Sequence, residues 1–206
     1  MNRRGLIALG VTVGVGASLL GAGAGVAVAG PVSTTLTYSC EFPLIGPYDV
    51  STKIDVTLPD SGTVGQPVQA TNLSVTVTVP EDVVAALAIF EAATVDGTAT
   101  AGAVVTDSAA QAQDLALSLT VPSAVIPPTG PLPVLATGTV PPATVANAGT
   151  ATVSVAPTYQ ARLTPKKADG SQTDLGTFDL PCTANPATQD RTLGTIPIAA
   201  AVPGTR

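Results

Sequence analysis

The sequence has no histidine and no tryptophan. It has one methionine, two cysteines, three tyrosines and three phenylalanines in 206 residues. Charged residues make up only 11%. These scarcities exclude whole classes of function. Without histidine there is no Ser-His-Asp triad, no imidazole general base and no His-bound zinc. With Lys+Arg 8 against Asp+Glu 14 and an isoelectric point near 4.3, the chain lacks the basic face that a nucleic acid needs. No GxGxxG or P-loop pattern stands between a strand and a helix, so no nucleotide or redox cofactor is expected. What is abundant points to strands and turns. Val 26 and Thr 30 favour extended structure, and Gly 20 with Pro 19 punctuate it.

The first residues read as an export signal. Arg3 and Arg4 form a positive start, a Gly- and Ala-rich apolar stretch follows, and Ala27-Val28-Ala29 is an A-x-A cleavage site before Gly30. The competing reading is an uncleaved anchor, because Leu6 to Ala29 is long enough to span a bilayer. The Gly-rich composition and the cleavage site favour the signal. The paired arginines also fit a twin-arginine signal, and the export route stays open. No later segment has the length and apolarity of a membrane span, so none is expected after signal removal. The expected location is extracellular.

Two cysteines remain, Cys40 near the start and Cys182 near the end. In an oxidising compartment pairing is the default. A redox pair would want a CxxC spacing or a neighbouring cation, and these two are far apart, beside Glu41 and Pro181. A Cys40–Cys182 bridge would clamp the first strand to the last.

Between them the pattern alternates. Leu36, Tyr38 and Cys40 share one face of a strand. Val50, Ile54, Val56 and Leu58 share another, with Thr52 among them. Leu73, Val75, Val77 and Val79 form a third set, and Leu115, Leu117, Leu119 and Val121 a fourth. Such period-2 alternation marks half-buried strands. Pro80-Glu81-Asp82 followed by Val83, Leu87 and Phe90 predicts one short helix with acids in its first turn. Asp96-Gly97 should end that excursion, and Pro122 should stop the Asp114–Val121 strand. The stretch from Pro122 to Pro142 is proline-rich enough for a linker, but the strand character of Leu132 to Val140 favours a place inside one domain. Ala151, Val153 and Val155 share a face in a long strand where Pro157 suggests an edge or a bulge. Phe178, Leu180 and Cys182 share a face in the last strand.

The segments SCEFPLIGPYDV, LPDSGTVGQPV, LTPKKADGSQTDLGTFDLPC and TLGTIPI, in that order, resemble a family of secreted domains of unknown function from high-GC Gram-positive bacteria. The resemblance covers about Leu36 to Ile198. It implies an immunoglobulin-like sandwich with the two cysteines paired, and it supplies no activity. With the strand pattern, the expected fold is all-β: an immunoglobulin-like β-sandwich of about seven to nine strands, one short helix, and one disulfide joining first and last strands. The expected organisation is a signal peptide over 1–29, a secreted sandwich domain over 30–185, and a C-terminal tail over 186–206 with room for one further strand.

The expected function is a non-catalytic domain with a structural or surface-interaction role toward a surface or protein partner. The alternative is a small carbohydrate or cell-wall binding module, with Phe42, Tyr48 and Tyr159 as the exposed ring platform. Carboxylates such as Asp49, Asp55, Glu81 and Asp82 read as solvated or helix-capping groups rather than a glycosidase pair. Asp169, Ser171 and Asp174 have a spacing that could present oxygens to calcium, but the EF-hand pattern is incomplete and Asp-Gly is ordinary hairpin chemistry. No metal or cofactor is expected.

Overall fold

The structure is a computed structural model that describes residues 30–201. The signal peptide expected over 1–29, with its expected cleavage between Ala29 and Gly30, lies outside the described residues. Twelve strands and one helix follow in order: β1 (Pro31–Phe42), β2 (Gly46–Thr57), β3 (Gly62–Thr63), β4 (Pro67–Val68), β5 (Thr71–Val79), α1 (Glu81–Ile89), β6 (Thr94–Thr106), β7 (Ala112–Val125), β8 (Leu132–Gly138), β9 (Ala143–Thr144), β10 (Gly149–Lys166), β11 (Phe178–Ala184) and β12 (Thr192–Ala199).

The all-β class is as expected, but the ladder does not divide into two sheets. It runs β11-β1-β2-β5-β8-β7-β6-β10, and β10 then pairs with β11, so eight strands close a ring. An immunoglobulin-like sandwich has two separate hydrogen-bonded sheets with free edges; here the ring is a barrel-like closure. The cause lies in β10. Its first half pairs with β6 and β12, and its second half with β6 and β11. The change of partner falls at the register shift between Val155 and Tyr159, around Pro157, whose missing N–H is tolerated in a bulge. The bulge bends β10 so that its far half can reach the strand that completes the ring. β12 and β3 continue the sheet as a flap beyond β10.

Two other proline and glycine readings change in the same way. Pro122 does not stop β7, which runs on to Val125. It sits opposite the irregularity between Val95 and Gly97 and beyond the short pairing with β8 at Leu119 and Thr120, so no ladder bond is lost. Gly97 lies within β6 rather than ending the helical excursion. A Cβ at this position would run into the Arg162 carbonyl oxygen of β10, so only glycine lets the two backbones approach.

Alternation places one row of each ring strand inside. Leu36, Tyr38, Cys40 and Phe42 of β1, Val50, Ile54 and Val56 of β2, and Leu115 to Val121 at every second position of β7 are all buried. Helix α1 joins the end of β5 to the start of β6 and lies across that end of the barrel. Val83 and Val84 are buried beneath it. Leu87 and Phe90 face Phe42, Leu44, Ile45 and Phe178 across a shallow groove. The Gly130 amide donates to Glu81 Oε1 at 3.0 Å, tying the helix start to the loop after β7. At the other end β4 pairs with β9, and Val68, Ala143 and Val145 are buried there.

The Cys40–Cys182 disulfide is formed. It links β1 to β11, next to the strand that closes the ring, and β12 follows it in the chain. The segment after residue 185 carries β12, which pairs with β10 from Gly149 to Ser154. It also carries Gln189, whose side chain bonds the Thr37 amide and carbonyl at 3.1 and 2.6 Å.

Candidate functional site

The ring encloses an apolar cavity of about 140 Å³. An eight-stranded barrel is just wide enough for side chains to fill it or for one small ligand to lodge in it. Here the filling is incomplete for a local reason. The inner row of β6 is Ala99, Ala101 and Ala103, against Leu115, Leu117 and Leu119 on neighbouring β7. Three methyl groups stand where bulkier side chains would meet across the lumen. The absence of tryptophan leaves nothing large to replace them.

The lumen has a small polar cluster on one wall. Thr52 of β2 is 3% exposed and lines the cavity between Val50 and Ile54. Its Oγ1 finds no hydrogen-bond partner among the described residues. Tyr159 of β10 also lines the cavity. Its ring meets Tyr38 edge-on, with centroids 4.8 Å apart at 65°, and its hydroxyl lies 3.5 Å from Cys40 Sγ, a weak partner. Burial pushes the Tyr159 phenol up to about 12; a weak hydrogen bond from the Thr52 hydroxyl, outside good hydrogen-bond geometry, lowers it, and Tyr38 adds to the rise. The Tyr38 hydroxyl is occupied: it donates to the Ala156 carbonyl at 3.2 Å. Burial raises its pKa as well, against a lowering by Arg191. None of the residues lining the cavity carries a charge.

The three rings singled out in the sequence go to different places. Phe42 is buried and Tyr48 half-buried at the α1 end, edge-on to each other with centroids 6.4 Å apart. Tyr159 is packed against the core and turned into the lumen. The rings therefore do not form one exposed platform. Asp169 is engaged in its turn, where its Oδ1 accepts from the Ser171 amide and hydroxyl at 2.9 and 2.6 Å. Among the described residues no three His, Cys, Asp or Glu side chains come close enough to hold a metal ion. Asp55 pairs with Lys53 at 2.9 Å on the outer face. Asp49 accepts from the Asn185 amide at 2.9 Å. Asp107, the one charged residue buried among the described residues, caps its loop by accepting from the Ala109 and Gln111 amides and from Asn147.

A family model described as a family of unknown function, DUF6801, matches residues 37–194. The chain belongs to this family. The match covers seven of the eight ring strands in full and β1 from Thr37 onward. No curated protein matches the chain, and no solved structure does. No helix among the described residues of this DUF6801 protein is long and apolar enough to cross a membrane. Residue pattern alone does not single out the lumen as a site. Its signals were present in the alternating alanines from Ala99 to Ala103 and in Thr52, a hydroxyl in an otherwise aliphatic inward row.

Proposed function

We propose that this DUF6801 protein is an exported, non-catalytic binding module that takes up a small apolar molecule inside its barrel. The observation that carries this reading is the cavity of about 140 Å³ with its apolar wall. A closed apolar cavity of roughly 150 Å³ stays dry and accepts benzene or xenon. Export is supported by the Arg3-Arg4 start, the A-x-A motif at residues 27–29 and the Cys40–Cys182 bridge. The test is a ¹H–¹⁵N NMR titration of the oxidised protein with benzene. Saturable shifts at amides of β2, β6 and β10 are expected. Ala103→Leu, which fills the lumen from β6, should abolish them while the rest of the spectrum stays dispersed. A wild-type protein with no saturable shift would overturn the reading.

A second reading, contact with a surface or protein partner, is supported by the barrel end that α1 covers. Leu44 and Ile89 are 80% and 79% exposed there, beside the groove that Leu87 and Phe90 line. Co-sedimentation with isolated cell walls tests it. Binding that survives high salt and is lost in a Leu44→Asp, Ile89→Asp variant would support it; no binding at either salt would count against it.

A further inference from the structure

We propose that the lumen selects neutral ligands that carry one hydrogen-bonding head on an apolar body, such as a small phenol or alcohol, with the head held by Thr52 Oγ1 and the Tyr159 hydroxyl. The inference rests on the ligand-binding reading above and specifies its chemistry.

Three observations carry it. The first is Thr52 itself. A buried hydroxyl normally has a partner, and an inward position between Val50 and Ile54 would suit valine by shape. Instead the residue, 3% exposed, lines the cavity with a buried Oγ1 that makes no well-formed hydrogen bond among the described residues and acts only as a weak donor toward the Tyr159 hydroxyl. A ligand hydroxyl placed against it would both donate and accept. The second is Tyr159, which supplies a donor on the same stretch of wall and whose present sulfur contact is weak. Burial keeps that phenol protonated at ordinary pH, so its O–H stays available. The neighbouring Tyr38 hydroxyl is already committed to Ala156, which limits the cluster to one head group. The third is charge. No cation lines the cavity to receive a carboxylate and no anion to receive an ammonium, and an unpaired ion in such a place is strongly disfavoured. The volume limits the body to about the size of one six-membered ring.

The probes are therefore benzene, phenol and benzoate, titrated by NMR into the oxidised protein and its Thr52→Val and Thr52→Ser variants. Thr52→Val should lower phenol affinity about 3- to 10-fold, the worth of one net hydrogen bond, and leave benzene affinity unchanged or higher. Thr52→Ser, which keeps the hydroxyl, should retain the phenol preference, and Tyr159→Phe should lower phenol affinity selectively. Benzoate should not bind at concentrations that saturate with phenol. Equal changes for benzene and phenol in Thr52→Val, loss of the phenol preference in Thr52→Ser, or benzoate binding as well as phenol would each overturn the head-group assignment while leaving the lumen as a binding site. If wild-type protein binds neither benzene nor phenol, the assignment falls together with the reading it rests on.

Discussion

Replacing Thr52 by valine should make the empty protein more stable. The side chain is 3% exposed and its Oγ1 has no hydrogen-bond partner among the described residues. A buried hydroxyl without a partner costs about 1–3 kcal/mol relative to water. Valine keeps the branched shape and its χ1 preference, and replaces the hydroxyl with a methyl group that is favoured in the same surroundings. The expected gain is about 1–2 kcal/mol, which for a domain of this size raises the melting temperature by roughly 2–4 °C per kcal/mol. Urea unfolding followed by far-UV circular dichroism measures it, since the chain has no tryptophan for fluorescence. The slope of free energy against urea should not change, because the exposed area does not. Saturating phenol should narrow the gap, because ligand binding stabilises the wild type more than the variant. A loss of about 1 kcal/mol or more in Thr52→Val would refute the reasoning. It would mean that the hydroxyl is bonded in the folded state, with Tyr159 as the nearest candidate. A double-mutant cycle with Tyr159→Phe would then show a coupling above about 0.5 kcal/mol, where additivity is expected.

Alkaline pH should weaken the fold through Tyr159. Its phenol is held protonated up to about 12 by burial, while an unfolded tyrosine releases its proton near 10. Below about pH 10 both states hold the proton and the stabilisation is complete. Between about 10 and 12 only the unfolded chain has lost it, so stability falls as pH rises, by about 2–3 kcal/mol at most. The gap between urea midpoints at pH 9 and pH 11.5 should narrow in Tyr159→Phe, the remainder being carried by Tyr38, whose phenol burial also raises. Gly97→Ala should cost at least about 2 kcal/mol, because its Cβ meets backbone rather than a movable side chain; a thermal melt within 2 °C of wild type would contradict this. Replacing Cys40 and Cys182 together by serine should cost up to about 5 kcal/mol on the chain-entropy argument for a sequence separation of 142 residues. Hydrogen exchange should rise first along the short β1–β11 pairing from Tyr38 to Cys40.

The elements of this fold were legible from residue type, while the closure was not. Alternation in β1, β2, β7 and β11 identified the inward rows, and Glu81 and Asp82 after Pro80 marked α1. Alternation of this kind says which face is buried and not which strand lies opposite, so a barrel and a sandwich look alike in sequence. The deciding feature was how far β10 bends at Pro157 and where its second half finds a partner. That is settled by pairing with β11 and by the Tyr159–Cys182 register, contacts that are remote from the bulge in the chain. Pro122 reads as a strand stop for a related reason: its effect depends on whether a neighbour needs its N–H, and at that point β8 has already left β7. Tyr159 was singled out as a ring and proved to face inward, because the same bulge resets which residues of β10 point to the lumen.

A barrel with space at its centre gives up packing, and the magnitude can be set against what restores it. At about 24 cal/mol per Å³, a void of about 140 Å³ costs on the order of 3 kcal/mol, and the orphaned Thr52 hydroxyl adds about 1–3 kcal/mol. Both features act in one place, and neither serves the stability of the empty fold. The disulfide, with an upper value of about 5 kcal/mol, is of the size needed to offset them. It lies beside the same cluster, with Cys40 Sγ in contact with the Tyr159 hydroxyl. Departures from good packing and hydrogen bonding tend to gather where a protein binds something. Filling the lumen with one larger side chain and changing Thr52 to valine would remove both penalties by short substitutions. Three alanines and a threonine on the inner wall, with a covalent staple securing the ring, are therefore the features on which the proposed binding reading stands or falls.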